Sequence, residues 1–245
     1  MCKTIIPQAR GKGGPRYRAP SFRYAGDTGI RGGIGNDGTP FTQGTITDLI
    51  TSQGHHAPLM HVAYSNGITA LLPAPEGIRV GDIVHAGKEE GKESQITPGS
   101  TLLLRDIPEG TQLYNVELRP GDGGTFCKTT GTTAKLLAKT ETTASILLPS
   151  KKVKELNIFC RACIGFIAGG GRKEKPYLKA GVVVHARKTK NKLYPRSSAA
   201  KMNAVDHPFG NKRSSRKSKQ KPVSRHAPPG RKVGKLAARR TGRRN

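Results

Sequence analysis

Positive charge is spread so unevenly along this chain that its distribution limits the architecture more than any hydropathy pattern does. Residues 1–26 carry six Lys and Arg and no acid, residues 27–184 carry 17 basic and 15 acidic residues, and residues 185–245 carry 20 basic residues and one acid. Only the middle block has the balance of an ordinary folded domain. The segment from Lys188 onward is built of Arg, Lys, Ser, Pro and Gly with hardly any apolar periodicity, so it cannot bury enough surface to offset its ordering. That ordering costs about 1–2 kcal/mol per residue in backbone entropy. Free in solution the tails are therefore expected to be disordered, and to take shape against a partner.

A formal net charge of +27 calls for a polyanion. Nucleic acid, an anionic membrane surface and an acidic protein are the candidates. No apolar run approaches the roughly 18–20 residues that span a bilayer, and residues 1–10 lack the apolar stretch of a secretory signal. The expectation is a cytoplasmic protein with no membrane partner. Cytosolic thiols stay reduced, so Cys2, Cys127, Cys160 and Cys163 give no disulfide framework and are free thiols or metal ligands. Cys160 and Cys163 have zinc-ligand spacing, yet no second pair stands at a matching distance. Two half-buried thiols on a strand are the favoured reading, with no metal site.

Hydrophobic residues make up 34% of the chain and Trp is absent. A small aliphatic core is expected, which fits two modest barrels better than one large α/β enzyme. The middle block reads as short strands punctuated by Gly and Pro, with no helical period held beyond two turns. Candidate strands are residues 44–50, 60–64, 68–72, 82–86, 101–104, 112–117, 135–138, 144–148, 160–167 and 182–186. Turns fall at Pro75-Glu76-Gly77, Pro108-Glu109-Gly110, Pro120-Gly121-Asp122-Gly123-Gly124 and Gly169-Gly170-Gly171, where Pro presets φ and Gly tolerates positive φ. The polar stretch 87–99 is the natural boundary between two β-domains.

Charge runs such as Lys212-Arg213-Ser214-Ser215-Arg216-Lys217 are often only solvated faces, but self-repulsion in a segment this basic favours a phosphate lattice. Gly and Pro interleaved with Arg and Lys let the backbone approach folded RNA closely. Tyr17, Phe22 and Tyr24 either stack on unpaired bases or pin the N-terminal tail to the first barrel. His55, His56 and His61 lack nearby carboxylates to orient them as ligands, so a structural or phosphate-facing role is favoured. The triplet Gly169–Gly171 precedes Arg172 and Lys173 without the Gly-Lys-Ser/Thr ending of a P-loop and reads as a turn against RNA backbone. Asp206 and His207 form the sole adjacent acid–base pair, with no nucleophile in view, and no catalytic residue is assigned.

Six strings, read in order, carry a resemblance to a known family. Ala74-Pro75-Glu76-Gly77-Ile78, Ile107-Pro108-Glu109-Gly110-Thr111, Pro120-Gly121-Asp122-Gly123-Gly124, Ala168-Gly169-Gly170-Gly171-Arg172-Lys173 and Met202-Asn203-Ala204-Val205-Asp206-His207-Pro208-Phe209-Gly210, with the ending from Ala227-Pro228-Pro229-Gly230-Arg231-Lys232 through Ala238-Arg239-Arg240-Thr241-Gly242, resemble the universal large-subunit ribosomal protein two family. The wording around Asp206-His207-Pro208-Phe209 resembles its archaeal branch. Departures are Ser197-Ser198-Ala199-Ala200-Lys201 where the family commonly has Arg-Gly-Val-Ala, Asn211-Lys212 where it runs in glycine, and Gly54-His55-His56-Ala57-Pro58-Leu59 where it often has Gly-Arg before a small residue and Ala-Pro-Leu.

The resemblance implies an all-β fold, an oligonucleotide-binding-type barrel followed by an SH3-like barrel with extended basic tails. It divides the chain into a basic N-terminal extension (1–36), the first barrel (37–87), the second barrel (88–187) and a basic C-terminal extension (188–245). It further implies a non-enzymatic constituent of the large ribosomal subunit and a primary binder of large-subunit rRNA. Support of assembly, subunit association and tRNA placement near the peptidyl transferase centre follows from the same resemblance. Partners are then large-subunit rRNA, other ribosomal proteins and, at the intersubunit side, small-subunit rRNA, with no homo-oligomer. No cofactor beyond rRNA-associated Mg²⁺ is expected. The residues expected to meet RNA are Arg10, Lys12, Arg16, Arg18 and Arg23; Arg172, Lys173 and Lys175; Met202, Asn203, Asp206 and His207; and Lys212, Arg213, Arg216, Lys217, Arg225, Arg231, Lys232, Arg239, Arg240 and Arg243. Two rivals are a nucleic-acid-processing enzyme, which would need clustered carboxylates for Mg²⁺, and a free RNA chaperone.

Overall fold

Side chains on a strand point alternately to its two faces, and the first strand shows the consequence directly. On β1 (Thr42–Ile50) Thr42, Gly44 and Ile46 are buried while Gln43, Thr45 and Thr47 are exposed. In the computed structural model, which describes residues 3–30, 41–88, 96–211 and 222–239, β1 pairs antiparallel with β2 (Leu59–Tyr64) and β4 (Ile83–Ala86), and β2 pairs with β3 (Thr69–Pro73). Gly44 faces inward because β2 packs tightly over it: a Cβ there would lie 2.7 Å from the Tyr64 ring. The far edge of β3 meets the chain before β1, where the Gly29 N–H donates to the Leu71 carbonyl at 3.2 Å.

Six further strands complete one sheet: β5 (Thr101–Leu103), β6 (Gln112–Tyr114), β7 (Ala134–Lys139), β8 (Thr143–Leu147), β9 (Val153–Asn157) and β10 (Arg161–Ile164). Their order is β3-β2-β1-β4-β5-β10-β6-β7-β8-β9. Two apolar clusters lie within it. Ile46, Met60, Val62, Leu72 and Val84 centre the first, and Leu102, Leu113, Leu136, Ile146 and Leu156 the second. The seam is β10, where Cys163 faces the first cluster while Cys160, Ala162 and Ile164 face the second. The all-β expectation is met by two small cores sharing a strand.

Contacts divide the chain into two units: Pro20–Leu178, called here the barrel unit, and Met1–Ala19 with Lys179–Asn245, the tail unit. Nine of the ten predicted strands sit on strands of the barrel unit, displaced by a few residues at their ends. The expected strand at 160–167 ends at Ile164, because Gly165 turns the chain at φ 112°. The tenth, 182–186, is instead part of a helix, α2 (Ala180–Lys188), with no buried residue. Three consecutive valines signalled a strand, but a strand needs a neighbouring ladder and a helix closes its own hydrogen bonds. His185, Arg187 and Lys188 in its last turn favour the negative end of the helix dipole. Strand β9 was missed, since Val-Lys-Glu-Leu-Asn buries only Leu156.

The tails, expected to lack structure of their own, also carry α1 (Ile6–Gly11) and a parallel pair, β11 (Pro222–Val223) with β12 (Lys235–Leu236). Among the tail unit's described residues only Gly210 and Val233 are buried. Order there comes from backbone turns rather than a core. The predicted boundary at 87–99 falls partly on residues 89–95, outside the described residues.

Candidate nucleic-acid interface

The barrel unit presents a small recess lined by Thr28, Gly54, His55, His56, Lys128 and Thr129, about 160 Å³ in volume, with no acidic residue in its wall. Lys128 donates to the Thr28 carbonyl at 2.9 Å. Burial lowers its pKa, with Cys163 and Asp122 opposing that shift. His55 approaches the Ser52 hydroxyl with Nδ1 (2.9 Å) and the Thr28 hydroxyl with Nε2 (3.4 Å), and its ring meets Tyr24 edge-on at 5.9 Å. Gly54 makes room for that ring, since a Cβ would fall 2.6 Å from Tyr24. Tyr24 therefore packs on the barrel, whereas Phe22, 82% exposed beneath Arg23 (5.2 Å to the ring), offers a free face. A half-buried ammonium beside two imidazoles, with no carboxylate among the lining residues, suits an oxyanion. Lys128 was not among the residues singled out from sequence. The Cys-Lys-Thr-Thr string around it carries no motif, and only the fold brings it to His55.

In the interior of the same unit, Glu117 and Arg161 form a fully buried ion pair, Nη2 to Oε1 at 2.7 Å. Five donors converge on that carboxylate: Nε, Nη2 and the backbone N–H of Arg161, and the N–H groups of Gly121 and Gly123. Arg161 Nη2 also reaches the Ile30 carbonyl at 3.4 Å, and the Ile30 N–H donates to the Gly123 carbonyl at 2.8 Å. The Pro120-Gly121-Asp122-Gly123-Gly124 string is thus a turn wrapped around Glu117. Gly124, at φ 95°, lies where a Cβ would strike the Asn115 side chain. One ion pair ties β10, this turn and the segment ending at Ile30 together.

The zinc spacing dissolves in three dimensions. Three residues apart across an extended chain, Cys160 and Cys163 point into different cores, and among the described residues no cluster of His, Cys, Asp and Glu could hold a metal ion. Burial raises the thiols of Cys127 and Cys160 to about 11. The glycine triplet has an intramolecular reason too, because Gly169 and Gly171 adopt φ 77° and 72°, and a Cβ on Gly169 would lie 3.2 Å from the Thr130 side chain. Arg172, Lys173 and Lys175 stand exposed beside it.

In the tail unit, residues 202–211 close on themselves: the Asp206 and His207 N–H groups donate to the Asn203 carbonyl, and the Asn211 N–H to that of Met202. Gly210 is required there because a Cβ would run into the Asn203 and Met202 carbonyls. The N-terminal segment pins this loop, Lys3 N–H to the Val205 carbonyl at 3.0 Å and Lys3 Nζ to Asp206 at 3.5 Å. Asn191 Nδ2 donates to the Pro15 and Arg18 carbonyls at 2.7 and 2.8 Å. Arg10, Met202, Asp206 and His207 come together around a cavity of about 550 Å³. Lys232 joins Asp206 and His207 around a second of about 720 Å³. Lys12, Arg16, Arg18, Arg225, Arg231 and Arg239 are exposed, and Arg10 sits over the Tyr17 ring at 5.7 Å. Lys212, Arg213, Arg216, Lys217, Arg240 and Arg243 lie outside the described residues.

A family model described as "Ribosomal Proteins L2, C-terminal domain" matches residues 97–227. Large ribosomal subunit protein uL2 of Methanothermobacter thermautotrophicus is 43% identical over 244 residues, covering all of both chains. The Nanoarchaeum equitans protein of that name is 45% identical over 239 residues, covering 98% of this chain and 97% of its own. The chain belongs to the uL2 family. Its similarity to these archaeal uL2 proteins agrees with the archaeal wording of the Asp206–Phe209 string, and the two cores correspond to the oligonucleotide-binding-type and SH3-like barrels of the uL2 fold. The family strings map onto tight structure: turns at Gly77, Gly110 and Gly121, all at positive φ, and the closed loop ending at Gly210. No helix among the described residues is long and apolar enough to cross a membrane.

Proposed function

We propose that this chain binds large-subunit rRNA through two separate surfaces, the tail unit and the Lys128 recess. A uL2 protein is a structural constituent of the large ribosomal subunit, binds rRNA in the cytoplasmic ribosome and is not an enzyme. The observation that carries the finer reading is the segregation of charge: the tail unit holds 26 Lys and Arg against one acid, Asp206. In this reading the tail cations Arg10, Lys12, Arg16, Arg18, Arg225, Arg231, Lys232 and Arg239 neutralise phosphates. Arg23, Arg172, Lys173 and Lys175 do so from the barrel unit, and the recess takes one phosphate oxygen cluster. Lys212, Arg213, Arg216, Lys217, Arg240 and Arg243 extend the same lattice by their sequence alone.

The domain division at 36, 87 and 187, the primary-binder role, and support of assembly, subunit association and tRNA placement belong to the same proposal. So do contacts to other ribosomal proteins and small-subunit rRNA, and the Mg²⁺ of the surrounding RNA. The test is a salt titration of the full-length chain on large-subunit rRNA. Log affinity falls with log salt by about 0.7–0.9 per phosphate contacted, and Lys128→Ala lowers that slope by about 1. A slope near zero, or one that Lys128→Ala leaves unchanged, refutes the tail lattice or the recess respectively.

A further inference from the structure

We propose that the cavities flanking Asp206 and His207 form a pocket for an unstacked guanine base, an inference that rests on the rRNA-binding reading above. The lone acid of the tail unit is the starting point. A carboxylate among 26 cations weakens any purely phosphate-binding surface, yet Asp206 lies in the walls of both cavities together with Pro7 and His207. Its ion pair with Lys3 spans 3.5 Å between side chains that are 73% and 42% exposed, so that pair contributes little to stability and leaves the carboxylate accessible.

The neighbouring imidazole is fixed in one tautomer. The Phe209 N–H donates to His207 Nδ1 at 3.0 Å, so Nδ1 carries the lone pair and the ring proton sits on Nε2. The Phe209 ring, 5.1 Å away and tilted 51°, holds the imidazole in place. Asp206 and His207, both in the walls of the two cavities, thus present two acceptor oxygens and one N–H donor. Guanine offers the complement: its N1–H and 2-amino group lie side by side for a bidentate carboxylate, with O6 adjacent to accept from Nε2–H. Adenine and cytosine each offer a carboxylate one amino group, and uracil one imino proton.

The space is adequate. Volumes of about 550 and 720 Å³ fall in the range of about 300–1,000 Å³ usual for small-molecule sites. Pro7, Pro208, Val233 and Leu236 supply apolar walls, and Arg10 and Lys232 supply cations for the flanking phosphates. RNA exposes unstacked bases in loops and bulges, and proteins read them on their Watson–Crick edges.

The test uses the full-length, isotope-labelled chain, titrated separately with GMP, AMP, CMP and UMP at one ionic strength while the His207 and Phe209 ring signals are followed. GMP is expected to saturate at least tenfold more tightly than the other three. Asp206→Asn is expected to abolish that preference while the amide signals of residues 202–211 keep their pattern. Lys3→Met removes the ion pair but keeps the carboxylate, so it should retain the preference. Absence of saturation, equal responses to all four nucleotides, or loss of preference in Lys3→Met equal to that in Asp206→Asn each overturns the pocket. Wild-type binding to large-subunit rRNA, measured in parallel with its salt slope, separates this failure from failure of the rRNA reading itself.

Discussion

The barrel unit and the tail unit are both ordered, but different physics orders each. The barrel unit buries two aliphatic clusters and a charged pair with no access to solvent. In the tail unit only Gly210 and Val233 are buried among the described residues, and turns, Pro residues and a few cross-chain hydrogen bonds hold its shape. Buried area sets global stability, whereas backbone turns exposed to water open locally at low cost. The described part of the chain therefore combines a scaffold held by buried area with a unit held by exposed turns.

The sharpest way to break this contrast is at Glu117. Glu117→Gln removes the carboxylate that Arg161 pairs with in the interior, and loss of one partner of such a pair costs about 3–5 kcal/mol. The midpoint of denaturant unfolding should fall accordingly, with both barrels unfolding together because β10 belongs to both cores. Replacing the pair with Glu117→Leu and Arg161→Met should recover much of the loss. A shift in only one of two separable transitions would show that the shared strand does not couple them.

Gly210→Ala probes the other side. Its Cβ would meet the Asn203 and Met202 carbonyls, so the 202–211 loop should lose amide protection by an amount worth about 1–3 kcal/mol, while the global midpoint stays within error. A global loss as large as that of Glu117→Gln would erase the distinction drawn between the units.

Thiol chemistry and acid titration give smaller effects. Cys160 and Cys163 are buried, and burial raises Cys160 and Cys127 to about 11. In the native barrel unit, alkylation near pH 8 should be slow at Cys127 and limited by unfolding at the other two. Asp122 is the smallest case. Burial raises its pKa, but the Gly124, Leu118 and Arg119 N–H groups and the Thr125 hydroxyl together outweigh that and lower it. A carboxyl with a depressed folded pKa stabilises above its unfolded pKa of about 4 and loses that contribution as pH falls through the folded value. Asp122→Asn should lower stability near pH 7 and flatten the profile below about pH 4, where the wild-type carboxylate loses its contribution. An acid limb as steep as in the wild type would remove Asp122 from the account.

Much of this was legible beforehand, for reasons that differ by residue. Alternation made β1 and β8 readable, and Pro-Glu-Gly and Pro-Gly-Asp-Gly-Gly strings marked turns whose glycines do adopt positive φ. Strand β9 was not readable because one buried leucine gives no period. Val182-Val183-Val184 misled because propensity says nothing about whether a partner strand is near. In the interface, the tail cations were visible as charge density, but Lys128 was not, since the Thr28 carbonyl it donates to lies 100 positions earlier.

By itself the sequence determined the family, the two-barrel class and the partition of charge, because these depend on composition, local turn chemistry and motif order. Tertiary structure alone decided that Glu117 and Arg161 neutralise each other in the interior and that Cys160 and Cys163 face different cores. It also decided that the tail's single carboxylate lines two cavities together with Pro7 of the N-terminal segment. Each of these turns on which side chains meet across long stretches of chain, and the free energy of such meetings resides in burial and hydrogen-bond geometry that no local string of residues encodes.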